Sequence, residues 1–552
     1  MTIKVPTFQR QLRLQLILLG LIVISWNSEA FQCRAAPTEN GPESLADNAS
    51  QTIPNVLFLA VDDMKDWVGC LGGYEGQVLT PNIDRLAKRG TLFRNAHCPS
   101  PKCAPSRSAI LTGLRPSTTG LYDNGHWLLP NYPDVTTLPG YFRTAGYEVA
   151  GAGKIFHHTA GNHPPNQWDD FQPIRFRNDP WFRGSEKNYP WSKSSPNPPG
   201  FPFSQVTGLG HENDWGSLDI AANEYDDARS TRYATDFLKA KHDQPFFLAC
   251  GLFRPHLPWY VPAEYFDLYP INEIQLPPTR DDDLEDLPVA ALKLARDRRS
   301  DWKAIKSQQK WKHAIQAYLA SISYADKQLG RVLSALDSSP YAANTIVVLW
   351  SDHGWHLGSK GHWHKSTLWE EATRVPLIIQ APGLKPSVCD APVSLISIFP
   401  TLLDLCGQPI PEQLEGPTLV PLLRDPKTSW TEPAVIEFRR GNAAVRDARY
   451  RFIRYSDGGE ELYDHAADPA EWHNLADSPE SQSIKNRLSK WLPTKWADPA
   501  ATKSQFDFDP KHFQWTNRTT GTVTSGTDTP DTRHRHTNPQ SLNDRFRQST
   551  GK

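Results

Sequence analysis

Two apolar runs that stop abruptly at carboxylates constrain this chain more than any other feature. Asn55-Val-Leu-Phe-Leu-Ala-Val61 runs into Asp62-Asp63, and Thr345-Ile-Val-Val-Leu-Trp-Ser351 runs into Asp352-His353-Gly354. Short, continuous, β-rich apolar runs mark strands buried on both faces of a parallel sheet. Phe246–Phe253 is a third such run, ending in Arg254-Pro255-His256. Tyr147–Lys154, followed by Phe156-His157, is a weaker fourth, and Pro376–Gln380 a fifth. Helical patterns lie between them: Thr80–Gly90, with a capping Thr, an early Pro and a terminal Gly; the long amphipathic stretch Lys310–Leu336; and Ser397–Cys406. Alternating strands and helices predict an α/β fold, a sheet with helices on both faces. Ligands in such sheets bind at the carboxyl ends of the strands. A single Asp after a strand commonly caps a helix; four strand ends bearing ionisable residues point to a site.

Composition narrows the class. The 552 residues carry 59 Lys+Arg against 61 Asp+Glu, a net charge of −2. That balance argues against a nucleic-acid coat or a basic membrane-surface protein, which need a positive excess. The length suits one large domain plus a smaller one. Residues 1–30 read as a signal peptide: Arg10 and Arg13 precede the apolar run Leu16–Trp26, and small residues follow to Ala30. That run is short for a membrane span, which needs about 20 residues. An exported chain with no span in its mature part is therefore expected. Residues 31–52 read as a polar linker, 53–410 as the α/β domain and 411–500 as a small antiparallel sheet unit. Residues 501–552 read as a polar, disordered tail. The stretch 162–215, dense in Pro, Trp, Phe and Asn, reads as a packed loop or as a lid whose aromatics stack on sugars.

Asp62, Asp63 and Asp352 offer hard oxygen donors that suit Ca²⁺ or Mg²⁺, and three crowded carboxylates repel without a cation. With His353 added, Zn²⁺ also fits the donor set. Seven cysteines leave at least one without an intramolecular partner. Cys103-Ala-Pro-Ser-Arg107-Ser-Ala-Ile-Leu-Thr-Gly113 reads as a short helix, opened near Pro105 and closed by Gly113. Cys103 then lies at a helix N-terminus, which favours an anion, and Arg107 lies one turn on along the same face. Two readings follow, a low-pKa thiolate nucleophile and a buried structural cysteine.

Here the sequence resembles the type I sulfatases, formylglycine-dependent members of the alkaline phosphatase superfamily. C-x-P-S-R followed by x-x-x-L-T-G is their maturation motif. The strand end Asp62-Asp63, Thr80-Pro-Asn-Ile-Asp84, Gly153-Lys154-x-x-His157, Pro255-His256, Ser351-Asp352-His353-Gly354 and Arg374-Val-Pro-Leu377 resemble sulfatase blocks in family order. Glu461-Leu-Tyr-Asp464 and Asp468-Pro-x-Glu471-x-x-Asn474-Leu475 do so nearer the C-terminus. Gly120-Leu-Tyr-Asp123, Arg254-Pro-His-x-Pro258 and Ser351-Asp-His-Gly-Trp-x-Leu-Gly358 are most similar to the iduronate-2-sulfatase branch, which also carries His where many sulfatases have Asn.

The resemblance implies an alkaline-phosphatase-like fold and conversion of Cys103 to Cα-formylglycine by a maturation enzyme. The aldehyde hydrate is then the nucleophile, and its second hydroxyl expels sulfate. It implies Ca²⁺ held by Asp62, Asp63, Asp352, His353 and the residue at 103. Arg107, Lys154 and His157 would orient and activate the nucleophile, His256 would act as general acid, and Lys365 would clamp sulfate. Lys365 lies in Lys360-Gly-His-Trp-His-Lys365, where His362 or His364 could serve instead. Trp127, Asn124 and His362 are candidate substrate contacts. The implied activity is hydrolysis of sulfate esters on a sulfated oligo- or polysaccharide. Two alternatives stand beside it, a phosphodiesterase or phosphonate monoester hydrolase of the same superfamily, and a non-catalytic glycan-binding protein with Cys103 unmatured.

Overall fold

An eight-stranded sheet organises the molecule, a computed structural model that describes residues 53–526 apart from 159, 175–196, 198, 199, 298 and 510. Its strands are β1 (Asn55–Val61), β2 (Thr91–Phe93), β3 (Glu148–Gly153), β4 (Asp170–Gln172), β5 (Phe246–Leu252), β6 (Thr345–Ser351), β7 (Leu377–Gln380) and β8 (Ser387–Cys389). Their order is β8-β2-β7-β6-β1-β5-β3-β4. β1 pairs in parallel with both β5 and β6, and β3 pairs in parallel with both β5 and β4. β7 runs antiparallel to its neighbours β6 and β2. The sheet is thus mixed and mostly parallel.

Side-chain alternation explains why the central strands read as unbroken apolar runs. Leu57, Leu59 and Val61 enter one core with Leu248, Tyr318 and Leu319. Val56, Phe58 and Ala60 enter the other with Phe247, Phe142 and Ile346. Helices cover both faces. Asp226–Lys239 and the 27-residue Trp311–Asp337 pack on the first. Cys103–Thr112 and Ile398–Leu405 pack on the second. The helix expected at Thr80–Gly90 spans Pro81–Ala87, but Thr80 makes no side-chain cap; its Oγ1 accepts from Gly69 N–H at 2.8 Å instead.

A four-stranded antiparallel sheet follows, Ala434–Glu437, Ala443–Arg446, Tyr450–Arg454 and Glu460–Asp464. The described residues belong to one compact unit, so this sheet is a subdomain of the main body. The tail departs from the expectation of disorder from 501. Phe506–Asp509, Gln514–Asn517 and Val523–Ser525 form a three-stranded sheet, because Phe506 and Trp515 bury against Leu129 and Trp127. A composition rich in Thr and Asp hid those few apolar anchors. The leader expected at 1–30, the linker expected at 31–52 and much of the 162–215 stretch lie outside the described residues. No helix among the described residues is long and apolar enough to cross a membrane.

Candidate active site

Register brings the strand ends together. Val61 lies beside Leu252 and Ser351, and Gly153 beside Gly251. The residues that follow, Asp62-Asp63, Phe253 to His256, Asp352-His353 and Lys154, therefore emerge on one edge. Gly153 has φ +83, and a Cβ there would stand 1.9 Å from Gly251 O. Only glycine permits that close turn, which aims Lys154 inward.

The helix Cys103–Thr112 closes the cluster from above. Gly113 ends it with φ 72, the left-handed cap anticipated from the motif. Cys103 is its first residue and is 1% exposed. Arg107 donates from Nε to Asp352 Oδ2 at 2.9 Å and from Nη2 to Asp62 Oδ1 at 3.1 Å. Its Nη1 holds the carbonyls of Lys154 and Ile155 at 2.6 and 2.9 Å. One guanidinium thus ties the Cys103 helix to three strand ends. Lys154 Nζ pairs with Asp62 Oδ2. Lys365 Nζ lies 2.6 Å from Asp63 Oδ1 and 3.1 Å from Cys103 Sγ. His353 Nε2 lies 3.2 Å from the same sulfur. His157 also hydrogen-bonds Cys103, and His256 Nε2 stands 3.7 Å from Asp63 Oδ2.

Electrostatics follow from burial and these neighbours. Burial opposes ionisation of Cys103, yet Lys365, Lys154 and His353 hold its thiol well below the ordinary range. Asp62 is likewise buried, and Lys154 with Arg107 keeps it ionised. Asp63 and Asp352 fare differently: burial pushes them up to about 7 and about 6, against the opposing pull of Lys365 and Arg107. Burial, with Lys365 and Lys154, pushes His256 down to about 3, so its ring is neutral in the free site.

These residues fit a bound cation. Donor atoms of Asp62, Asp63, Cys103, Asp352 and His353 all lie within 4.8 Å of one another. Asp63 Oδ2 is buried with no hydrogen-bond partner. Such an oxygen is costly to bury alone, and a hard cation satisfies it.

Sequence reasoning missed Tyr318. Asp63 has φ 59, an unfavourable left-handed conformation for a non-glycine residue. The turn is clamped on every side. Tyr318 donates its hydroxyl to Asp63 O at 2.7 Å and accepts from Lys65 N–H at 3.1 Å. Ser351 Oγ accepts from Met64 N–H at 3.0 Å, and Asp352 Oδ1 from Asp63 N–H at 3.1 Å. In the sequence Tyr318 is one more apolar position on a long amphipathic helix.

The three candidate substrate contacts have the following surroundings. Both ring nitrogens of fully buried His362 face backbone carbonyls, Ala295 O at 3.0 Å and Lys365 O at 2.9 Å. It braces the Lys365 loop, and Lys365 itself enters the cluster. Asn124 Oδ1 accepts from Ala104 N–H at 2.9 Å, tying down the start of the nucleophile helix. Trp127 packs over Gly161 and against the 506–525 sheet.

A buried acid cluster at the carboxyl ends of a mostly parallel sheet, faced by the N-terminus of the Cys103 helix, belongs to an alkaline-phosphatase-like fold. Residues 54–408 match the sulfatase family, and residues 358–497 match the C-terminal family of N-sulphoglucosamine sulphohydrolase. The chain belongs to the sulfatase family and is a sulfuric ester hydrolase. A sulfatase from Formosa agariphila is 42% identical over 468 residues, covering 83% of this chain and 89% of the relative. Human iduronate 2-sulfatase is 35% identical over 428 residues, covering 70% of this chain and 75% of the relative. Among solved structures, a phosphonate monoester hydrolase from Silicibacter pomeroyi superposes with a TM-score of 0.67 at 25% identity, covering 84% of this chain and 99% of that one.

Proposed function

We propose that this chain hydrolyses sulfate esters on a sulfated saccharide, in the manner of iduronate 2-sulfatase, with Cys103 carried as formylglycine and Ca²⁺ at the carboxylate cluster. The observation that carries this reading is the convergence on Cys103 Sγ of Lys365, His353 and His157, beside the unpartnered Asp63 Oδ2. Asp62, Asp63, Asp352, His353 and the residue at 103 would hold the cation. The cation would supply Lewis-acid polarisation of the sulfate oxygens, and a formylglycine hydrate at position 103 would supply the nucleophilic oxygen.

The remaining groups have separable tasks. Lys365 draws in the anionic ester with a point charge aimed at the cluster. Arg107 fixes Asp62 and Asp352 and keeps the helix N-terminus pointed at the reacting centre. His157 takes the proton of the attacking hydroxyl. His256 has Nδ1 bonded to Leu257 O, which leaves Nε2 facing the site. The negative charge of a bound ester favours protonation of that nitrogen, from which the departing alcohol is protonated. Export by the N-terminal leader and maturation by a formylglycine-generating enzyme complete the proposal.

A panel of sulfated glycosaminoglycan and algal oligosaccharides, with a phosphonate monoester and a phosphate diester alongside, tests it. Sulfate release from at least one saccharide, at far higher kcat/KM than either phosphorus ester, is expected. The phosphonate hydrolase likeness supplies the competing outcome. Preference for the phosphorus esters would replace the sulfatase reading, and an unmodified Cys103 peptide mass in active native material would remove the formylglycine.

A further inference from the structure

A second cavity, of about 410 Å³, lies between the C-terminal subdomain and the core. It is remote from the reacting centre. The helix that begins at Cys103 is ten residues long, about 15 Å, and Arg115, just past its far end, lines the cavity. No residue of the carboxylate cluster contributes to it.

Its lining has the chemistry of a binding site. Trp491 is 39% exposed. Trp430 is half-buried, with Nε1 bonded to Pro392 O at 3.0 Å, which fixes its ring. Lys490 and Lys495 are exposed on the same wall, and neither forms an ion pair among the described residues. Of the two lining carboxylates, Glu415 is engaged by Arg115 N–H and Thr118 Oγ1. The lining thus sets Arg115, Lys490 and Lys495 against Glu415 and Glu432, a small positive excess. The hydroxyl of Ser394, a lining residue only 7% exposed, has no hydrogen-bond partner. A buried hydroxyl without a partner carries a cost that a polar ligand removes. The volume falls within the range of small-ligand pockets, about 300–1,000 Å³.

We propose that this cavity is a non-catalytic binding site for a sulfated saccharide. The indole rings present flat faces to sugar rings, the lysines meet sulfate groups, and the Ser394 hydroxyl meets a ring oxygen or hydroxyl. The saccharide class rests on the reading under Proposed function, but binding here requires no hydrolysis. A polymer held at this point raises its effective concentration at the distant catalytic site.

The test is calorimetric titration of the full chain carrying Cys103→Ala with a heparin-derived tetrasaccharide and with its fully desulfated counterpart. Binding of the sulfated sugar is expected to weaken about tenfold in Trp491→Ala and in Lys490→Glu/Lys495→Glu, a loss of about 1.4 kcal/mol. Both sets lie at exposed positions where substitution spares the fold. In the Cys103 background, turnover of a small aryl sulfate is expected to be unchanged by them, while KM for a polymer rises. Equal affinity in the variants, or equal affinity for the desulfated sugar, overturns the proposal. Absence of aryl sulfate turnover in the parent chain would instead overturn the catalytic reading and leave the titration readable.

Discussion

The molecule contains two acid-and-histidine clusters with almost the same ingredients and opposite behaviour. At the strand ends stand Asp62, Asp63, Asp352, His353 and Cys103; where the C-terminal sheet meets the core stand Glu370, Glu471 and His465. In each, the donor atoms lie within 4.8 Å of one another. In the second, Arg451 pairs with Glu370 and, through Nε, with Glu471 Oε1 at 2.6 Å, while Arg446 stands 3.3 Å from Glu370. Burial is there overcome by Arg446, His465 and Arg451, and the Glu370 pKa falls well below the carboxylate range. At the strand ends Lys154 and Arg107 likewise keep Asp62 ionised, but burial wins at Asp63 and Asp352 despite Lys365 and Arg107, and Asp63 Oδ2 has no hydrogen-bond partner. The donors are alike and both clusters hold fixed cations; what separates them is that Arg446, Arg451 and His465 engage the glutamates, whereas Asp63 Oδ2 is left without a hydrogen bond.

The comparison breaks first at activity. Asp63→Asn is expected to lower kcat at least about 10²–10³-fold, as removal of a principal electrostatic stabiliser does, and Glu471→Gln to leave kcat within about threefold. Stability reverses the ranking. Arg451→Met strands two carboxylates and is expected to cost about 3–5 kcal/mol in denaturant unfolding, with Ca²⁺ affinity unaltered.

Glu437 sharpens the rule with a buried carboxylate that lacks metal donors. It accepts from Ser117 N–H at 2.6 Å and Ser117 Oγ at 2.9 Å, yet burial, opposed by Arg115, pushes it up to about 7. The folded chain keeps that proton where the unfolded chain has lost it. Its contribution is therefore full below about pH 4.5 and is lost as pH rises through 7, a fall of about 3 kcal/mol. Glu437→Gln lacks that titration, so the wild-type-minus-variant unfolding difference should show most of the fall between pH 5 and 8. A flat difference would show that Glu437 is ionised throughout.

The smallest effect separates two tyrosines of one helix. Tyr318→Phe is expected to weaken Ca²⁺ binding about 10–100-fold, the usual cost of losing a group behind a metal ligand. Tyr324 is equally buried, but its hydroxyl has no hydrogen-bond partner, and Tyr324→Phe should leave affinity unchanged. Equal effects from the two would reduce Tyr318 to packing.

Much of this was legible in the residues. Apolar runs ending in Asp62-Asp63 and Asp352-His353 marked the sheet and the edge where its ionisable residues gather, and the Pro105 and Gly113 punctuation marked the Cys103 helix. What escaped depends on contacts between distant segments. The antiparallel direction of β7 leaves no mark in a four-residue apolar run. Tyr318 acts through a hydroxyl that periodicity counts as core. His362 turns both ring nitrogens to backbone carbonyls, and Asn124 its amide oxygen to a backbone N–H. The 506–525 sheet hangs on Phe506 and Trp515, too few to overcome the polar composition around them.

Calcium titration of the metal-stripped chain tests the central contrast most directly. One Ca²⁺ per chain is expected, lost in Asp63→Asn and retained in Glu471→Gln. Retention in Asp63→Asn together with loss in Glu471→Gln, or no binding by the parent chain, would contradict it.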